Sequence, residues 1–263
     1  MKSIKNQDKF YKDRSKRIKS FERNLKLKKI SKDWIVESQK NKYVYNFDWL
    51  GRPIIQYPND IHILQEIVWE VKPDVIIETG IAHGGSLILS ASLLSMLDLA
   101  EYYKRKNINK IKKSNRKVIG VDIDIRPHNL KEIKKHPFYE KINLIEGSSV
   151  SIEVQKKIAK ILKNNKKVLV LLDSMHTESH VLEELKIYSK FVSNGSYCIV
   201  YDTLVSMMPD KFYSNRPWGK KNNPMSAINK FIKMNKNFSI DTSLSTKLCI
   251  SSCINGFLKK NEK

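Results

Sequence analysis

The sequence has few of the features that mark secreted or membrane-spanning proteins. Only three cysteines occur in 263 residues, an odd number without metal-ligand spacing, which argues against a disulfide framework and favours a reducing, cytoplasmic location. No apolar run reaches the roughly 18 residues that a membrane span needs. The first residues carry charge in place of the apolar core of a signal peptide. We therefore expect a soluble, cytoplasmic protein.

Glycine is also scarce, with nine residues, but three of them, Gly80, Gly84 and Gly85, fall in one short segment. Their spacing differs from the G-x-G-x-x-G loop that binds dinucleotides, and no G-K-[ST] follows, as a phosphate-binding loop requires. An apolar run containing Glu78 precedes them, and a second apolar run begins at Ser86. We predict a strand, a tight turn whose backbone approaches a bound molecule, and a helix.

Glu78 indicates the class of that molecule. A carboxylate at the end of a first strand is placed to accept hydrogen bonds from a cationic or amine-bearing ligand. S-adenosylmethionine is such a ligand, and we take it as the candidate cofactor.

Apolar, β-branched runs then alternate with helix-length segments. The predicted strands are 75–78, 117–121, 142–146, 168–172 and 197–201. The predicted helices are 61–71, 86–97, 129–135, 152–163, 179–191 and 225–234. This alternation is typical of parallel βαβ units. The predicted fold class is α/β, a doubly wound, mostly parallel Rossmann-like sheet in which ligands bind beyond the carboxyl ends of the strands.

The chain is strongly basic, with a formal net charge of +22 and 41% apolar residues. Clustered lysine and arginine suit nucleic acid or an anionic membrane surface, yet lysines occur in every segment, so compositional drift accounts for much of the charge. Residues 1–45 are the exception. We predict a basic, partly helical N-terminal extension and cap at 1–60, one catalytic domain at 61–263, and a Lys-rich insertion at 99–116.

Polar residues follow the second and third predicted strands. Asp122 could bind both hydroxyls of a ribose, as acidic residues do at this point of nucleotide-binding sheets. The alternative is a turn carboxylate that caps the next helix, which suits Asp124 better. Ser148 and Ser149 could contact the edge of a base or cap the following helix, and both interpretations remain open.

The fourth and fifth predicted strands end in a carboxylate each, Asp173 and Asp202. Two hard oxygen ligands on adjacent strand ends could hold Mg²⁺. His176 follows three residues after Asp173 and is suited to take a proton near neutral pH. Singly, such residues are usually a loop carboxylate and a structural histidine, but together they indicate a catalytic site. His83 is a weaker candidate, and His180 is expected on an exposed helix face.

At this point the chain resembles the cephalosporin hydroxylase-like family, whose members have the class I S-adenosylmethionine-dependent methyltransferase fold. The resemblance rests on seven segments. They are Trp-Leu-Gly-Arg-Pro-Ile-Ile-Gln at 49–56, Pro-Asp-Val-Ile-Ile-Glu-Thr-Gly at 73–80, His-Gly-Gly-Ser at 83–86, Val-Ile-Gly-Val-Asp-Ile-Asp at 118–124, Ile-Glu-Gly-Ser-Ser at 145–149, Leu-Asp-Ser-Met-His-Thr at 172–177 and Arg-Pro-Trp-Gly at 216–219.

This family is similar in turn to metal-dependent O-methyltransferases, both the catechol type and those that methylate sugars of macrolide antibiotics. The resemblance implies that Glu78 and the glycines hold the methionine part of the cofactor and that Asp122 holds its ribose. It also implies that Asp173 and Asp202 bind a divalent cation and that His176 is the general base.

One departure from those enzymes concerns the metal. They carry Glu-Asp at the end of the fifth strand, where this chain has Tyr201 and Asp202. One expected ligand is therefore missing, and Thr203 or water would have to take its place. The family name suggests hydroxylation, but the sequence shows no two-His-one-carboxylate triad of an iron oxygenase.

The leading hypothesis is an O-methyltransferase that uses S-adenosylmethionine and a divalent cation to methylate a hydroxyl of a sugar, in a glycan or a glycosylated metabolite. Residues 1–60 and 207–224 would form the cap that selects the acceptor. Two alternatives are an RNA methyltransferase, disfavoured because no base-methylating motif follows the fourth strand, and a non-catalytic scaffold. By analogy with related enzymes we also expect a homo-oligomer.

Overall fold

The computed structural model describes residues 2–104, 114–162 and 167–262. The helices in these ranges are α1 (Lys2–Arg23), α2 (Leu25–Lys40), α3 (Pro58–Val71), α4 (Gly85–Lys104), α5 (Pro127–Lys135), α6 (Ile152–Leu162), α7 (Glu178–Tyr188), α8 (Pro224–Met234) and α9 (Thr242–Leu248). The strands are β1 (Phe47–Trp49), β2 (Arg52–Ile54), β3 (Val75–Thr79), β4 (Lys117–Asp122), β5 (Ile142–Glu146), β6 (Val168–Leu172), β7 (Tyr197–Val200), β8 (Phe238–Ile240) and β9 (Phe257–Lys260).

Seven strands form one sheet in the order β5-β4-β3-β6-β7-β9-β8. Strands β3 to β7 pair in parallel, whereas β9 runs antiparallel to both of its neighbours. Every residue of β3 and β6 is buried, as expected for parallel strands that helices cover on both faces. The direction of winding reverses between β3 and β6, and ligands of doubly wound sheets bind at this point.

The predicted fold class is confirmed, and each of the five predicted strands lies within one residue of an observed one. The predicted insertion at 99–116 is wrong at its start, because α4 continues through Lys104; residues 105–113 lie outside the described ranges. The antiparallel pairs β1–β2 and β8–β9 were not predicted, because strands of three or four residues carry too little alternation to be recognised.

The N-terminal extension is helical, as predicted, and part of it belongs to the core. Ile35 of α2 and Val44 pack in one hydrophobic cluster with Tyr57 and with Leu204 and Val205 beyond β7. Because this cluster joins the N-terminal extension to the turn that follows β7, α2 is held close to the carboxyl end of β7. The proposed boundary near residue 60 stays a prediction. No helix in the described ranges is long and apolar enough to cross a membrane.

Candidate active site

A cavity of about 690 Å³ lies at the carboxyl ends of the parallel strands, at the point where the winding reverses. Its volume falls in the range of small-molecule sites, roughly 300–1,000 Å³. The predicted site residues that line it are Gly80, Gly85, Ser86, Asp122, Ser148, Ser149, Asp173, His176 and Asp202. Two other predicted residues, Glu78 and Gly84, are buried behind this lining.

The glycine-rich turn is packed against other parts of the chain. Gly80 has φ +80°, and an added Cβ would lie 2.6 Å from the carbonyl carbon of Asp173. At Gly85 an added Cβ would lie 2.7 Å from the carbonyl carbon of Pro53. These two glycines let the β3 turn contact the end of β6 and the β1–β2 hairpin. Both also line the cavity, and their contact with a ligand stays a prediction.

Glu78 is 2% exposed and accepts a hydrogen bond from the Ser86 hydroxyl through Oε1. Its Oε2 has no hydrogen-bond partner among the described residues. Burial, with a smaller contribution from the charge of Asp122, raises the pKa of Glu78 to about 7. A cationic ligand in the adjacent cavity would therefore favour the ionised carboxylate. Ser86 lines the cavity at the start of α4, where the helix dipole favours a ligand carboxylate.

Asp122 at the end of β4 lies on the cavity wall. Its Oδ2 accepts a hydrogen bond from the Ile81 backbone nitrogen at 2.8 Å, and its Oδ1 accepts one from Asp124 at 3.2 Å. The next helix, α5, is capped at Arg126, so neither aspartate is its N-cap. Ile123 was not predicted as a site residue, yet its side chain is 73% exposed and lines the cavity. It supplies an apolar surface next to a carboxylate.

Ser149 beyond β5 connects to a histidine that we had expected to be exposed. His180 lines the cavity and its Nε2 lies 3.1 Å from Ser149 Oγ and 3.6 Å from the buried carboxylate of Glu184. The expectation for His180 was therefore wrong, because α7 turns this side chain towards the loop after β5. The Val154 backbone nitrogen, in the first turn of α6, donates to the hydroxyl of Ser151 and not to that of Ser148 or Ser149.

The two strand-end aspartates and His176 meet on the opposite wall. One ligand atom from each of Asp173, His176 and Asp202 lies within 4.8 Å of the others, and His176 Nε2 lies 3.1 Å from Asp202 Oδ2. Neither aspartate pairs with a lysine or arginine in the described part of the chain. Burial and the nearby charge of Asp202 raise the pKa of Asp173 well above its usual value. A divalent cation would offset this accumulation of negative charge, so the donor set fits the predicted metal.

The residues flanking Asp202 do not replace the missing ligand. Thr203 is buried and its Oγ1 donates to the Ser252 carbonyl at 3.0 Å, so of the two alternatives for the vacant position, Thr203 and water, the geometry does not support Thr203. Tyr201 lines the cavity, but burial raises its pKa well above the usual value, which keeps the hydroxyl protonated. The structure leaves water or an acceptor oxygen to complete the coordination shell.

Aromatic side chains surround the remaining opening of the cavity. The Trp218 ring meets the His176 ring edge to face at 4.8 Å, and the Arg216 guanidinium lies 5.4 Å from the centre of the Trp218 ring. Tyr45 from the N-terminal extension and Tyr213 also line the cavity. The two segments predicted to form a cap are thus brought together above the carboxylates.

Comparison with known proteins identifies the family. A family model described as Rhamnosyl O-methyltransferase/CmcI matches residues 41–261. The rhamnosyl O-methyltransferase of Mycobacterium leprae (strain TN) is 28% identical over 184 residues, which cover 67% of this chain and 71% of that protein. Its namesake in Mycobacterium tuberculosis (strain H37Rv) is 25% identical over 237 residues, covering 87% and 86%.

Solved structures agree on the fold. The apo-structure of CmcI-N160 matches with a TM-score of 0.55 and 16% identity, covering 83% of this chain and 78% of its own. A second form, cmcI-D160 with Mg-SAM, matches with a TM-score of 0.51. It is also 16% identical, and the match covers 83% of this chain and 78% of that one. The predicted resemblance is confirmed: the chain belongs to the Rhamnosyl O-methyltransferase/CmcI family and has the class I methyltransferase fold.

Proposed function

We propose that this protein transfers a methyl group from S-adenosylmethionine to a hydroxyl of a sugar. The observation that carries the proposal is that one cavity holds a predicted cofactor wall, at Asp122 and Ser86, opposite a cluster of two carboxylates and a histidine. Family membership supports it, because the curated relatives are named for O-methylation of a rhamnosyl group. The acceptor class we assign is a small molecule or glycan that carries such a sugar.

The cofactor-binding residues that we propose lie on β3, β4 and α4. Each carboxylate oxygen of Asp122 accepts one backbone hydrogen bond, from Ile81 or from Asp124, and can accept another from a ribose hydroxyl, while Ile123 offers an apolar surface to the base. The start of α4 at Gly85 and Ser86 suits the carboxylate of the methionine part. Glu78 acts from behind the lining, through its charge and through the hydroxyl that it orients.

Asp173 and Asp202 are the ligands that we propose for a divalent cation such as Mg²⁺, which prefers carboxylate oxygens. When bound, the cation supplies positive charge that lowers the pKa of an acceptor hydroxyl. Transfer of a methyl group from sulfur to oxygen needs little covalent help from the protein, because the acceptor oxygen must mainly be aligned and deprotonated.

His176 is the base that we propose for that proton. Its Nε2 faces Asp202 at 3.1 Å, so a proton on this nitrogen is donated to the carboxylate and Nδ1 is left to accept another. Trp218 packs edge-on against the imidazole and restricts its rotation. The exposed ring of Tyr45 and the half-buried ring of Tyr213 both line the cavity and offer the flat apolar faces on which sugars stack.

Calorimetric titration tests these assignments. We expect the wild type to bind S-adenosylmethionine and Mg²⁺, Asp122→Ala to lose cofactor affinity, and Asp173→Ala to lose only the Mg²⁺ response. His176→Gln separates two roles of the histidine: a base leaves Mg²⁺ affinity unchanged and abolishes methyl transfer, whereas a ligand weakens Mg²⁺ binding as well. A folded wild type that binds no S-adenosylmethionine would refute the proposal and leave the scaffold alternative.

A further inference from the structure

Basic residues are more frequent in the N-terminal extension than in the rest of the chain. A drift in composition that affects the whole chain does not explain this difference. Fourteen of the first 40 residues are lysine or arginine, against 35 of the other 223, while acidic residues number five in the first 40. The density of cations is therefore about twice that of the rest of the chain. The catalytic cavity does not account for it, since no lysine or arginine with a described side chain among the first 40 residues lines that cavity.

Five of the seven cations of α1 with described side chains fall on a single line, and Arg14 and Arg17 lie off it beside the rings of Tyr11 and Phe10. These five recur at intervals of three and four residues, which places them on one face of a helix. We call this set the basic stripe; it consists of Lys9, Lys12, Lys16, Lys19 and Arg23. All five are exposed, and none forms an ion pair in the described part of the chain. At 1.5 Å per residue the basic stripe is about 21 Å long.

The basic stripe points away from the body of the protein. Helix α1 packs against α9 and α2, and its two half-buried apolar residues, Ile18 and Phe21, lie on the face opposite the stripe. The five cations therefore project into solvent. They outnumber the two neighbouring carboxylates, Asp8 and Asp13, so this helix face makes an electrostatic attachment surface for an anionic partner.

The residues around the stripe decide which anionic partner it fits. Proteins that bind single-stranded nucleic acid combine a basic groove with aromatic rings on which bases stack. The hollow on the stripe is lined by Asp8, Lys9, Lys12, Asp13 and Lys16, so it contains two carboxylates and no aromatic ring, and Phe10 and Tyr11 lie off the line of the stripe. A second copy of this chain would carry the same positive charge and repel it. A flat layer of anionic head groups can meet all five cations at once, and lysines near such a layer attract it additively.

We propose that the basic stripe docks this protein on an anionic phospholipid surface by electrostatic attraction. Contact is made by ammonium and guanidinium groups with lipid phosphates, without insertion of α1 into the hydrocarbon. The part of the N-terminal extension that lines the cavity begins at Gln39, and no residue of the stripe lines it. Methyl transfer to a water-soluble acceptor is therefore unchanged when the stripe is neutralised.

Co-sedimentation of the full chain with vesicles tests this docking. We expect binding to phosphatidylcholine vesicles that contain phosphatidylglycerol, no binding to phosphatidylcholine alone, and release by high salt. Glutamine substitution of the four lysines of the stripe should weaken binding by about tenfold or more. Both residues are good helix formers, so α1 should persist, which circular dichroism checks.

A matched control removes the same charge elsewhere. It carries glutamine at four exposed lysines outside α1, namely Lys157, Lys160, Lys233 and Lys236. This control should retain most of the vesicle binding. An equal loss in both variants would overturn the assignment to the stripe. Failure to bind anionic vesicles, with binding of polyuridylate that the stripe variant loses, would overturn the membrane proposal and assign the surface to nucleic acid.

Discussion

Replacing Gly80 by alanine tests whether the β3 turn and the metal wall are packed as one unit. Gly80 has φ +80°, which costs an alanine about 1–2 kcal/mol. An added Cβ would also lie 2.6 Å from the carbonyl carbon of Asp173 and 2.8 Å from Cα of Ser174. This backbone cannot retreat freely, because the Asp173 nitrogen donates to the Thr79 carbonyl at 2.9 Å. Overpacking of this kind costs a further amount of about 1–3 kcal/mol.

Gly51 offers the matched control, since its φ is +82° but an added Cβ would meet nothing within 4 Å. We expect Gly51→Ala to lower the free energy of unfolding by about 1–2 kcal/mol and Gly80→Ala by about 2–5 kcal/mol, measured by urea denaturation. Because the clash displaces Asp173, only Gly80→Ala should also weaken Mg²⁺ binding. Equal destabilisation by the two substitutions would refute the packing described for Gly80.

Three further predictions concern single side chains. Asp122→Ala should weaken S-adenosylmethionine binding about 10- to 100-fold in calorimetry, whereas the exposed Asp124→Ala should change it less than about twofold. Burial raises the pKa of Asp60 to about 6, so the folded chain holds this proton more tightly than the unfolded chain and loses stability as pH rises. From pH 4 to 7 the wild type should lose about 2 kcal/mol relative to Asp60→Asn in urea denaturation, and parallel pH profiles would contradict this. Thr203→Val should leave Mg²⁺ affinity unchanged and cost about 1 kcal/mol of stability, because only a hydrogen bond to a carbonyl is lost.

The strands of the parallel sheet could be predicted from the sequence because strands buried on both faces appear as continuous apolar runs. Most of the predicted site residues that follow them line the cavity. The residues that follow such strands converge on one edge, so Asp122, Asp173 and Asp202 could be grouped without knowledge of any contact. The pairs β1–β2 and β8–β9 escaped detection because strands of three or four residues show too little alternation, and β8 is also separated from β9 by α9.

Side-chain direction was harder to predict than position along the chain. His180 and Thr203 lie where the sequence placed them, yet each points opposite to expectation, because α7 and the turn after β7 are oriented by packing. Gly85 is glycine because Pro53 contacts it, a relation that no local pattern contains. Self-association and a cytoplasmic location depend on properties beyond one folded chain, and both stay predictions.

Methyl transfer itself tests the central claim most directly. The protein would be incubated with methyl-labelled S-adenosylmethionine, Mg²⁺ and a panel of rhamnosides and other glycosides, and the products analysed by mass spectrometry. We predict a product heavier by one labelled methyl group, which chelator and Asp173→Ala abolish. Absence of label from every glycoside, with a folded protein that has bound the cofactor, would contradict sugar O-methylation as the function of this site.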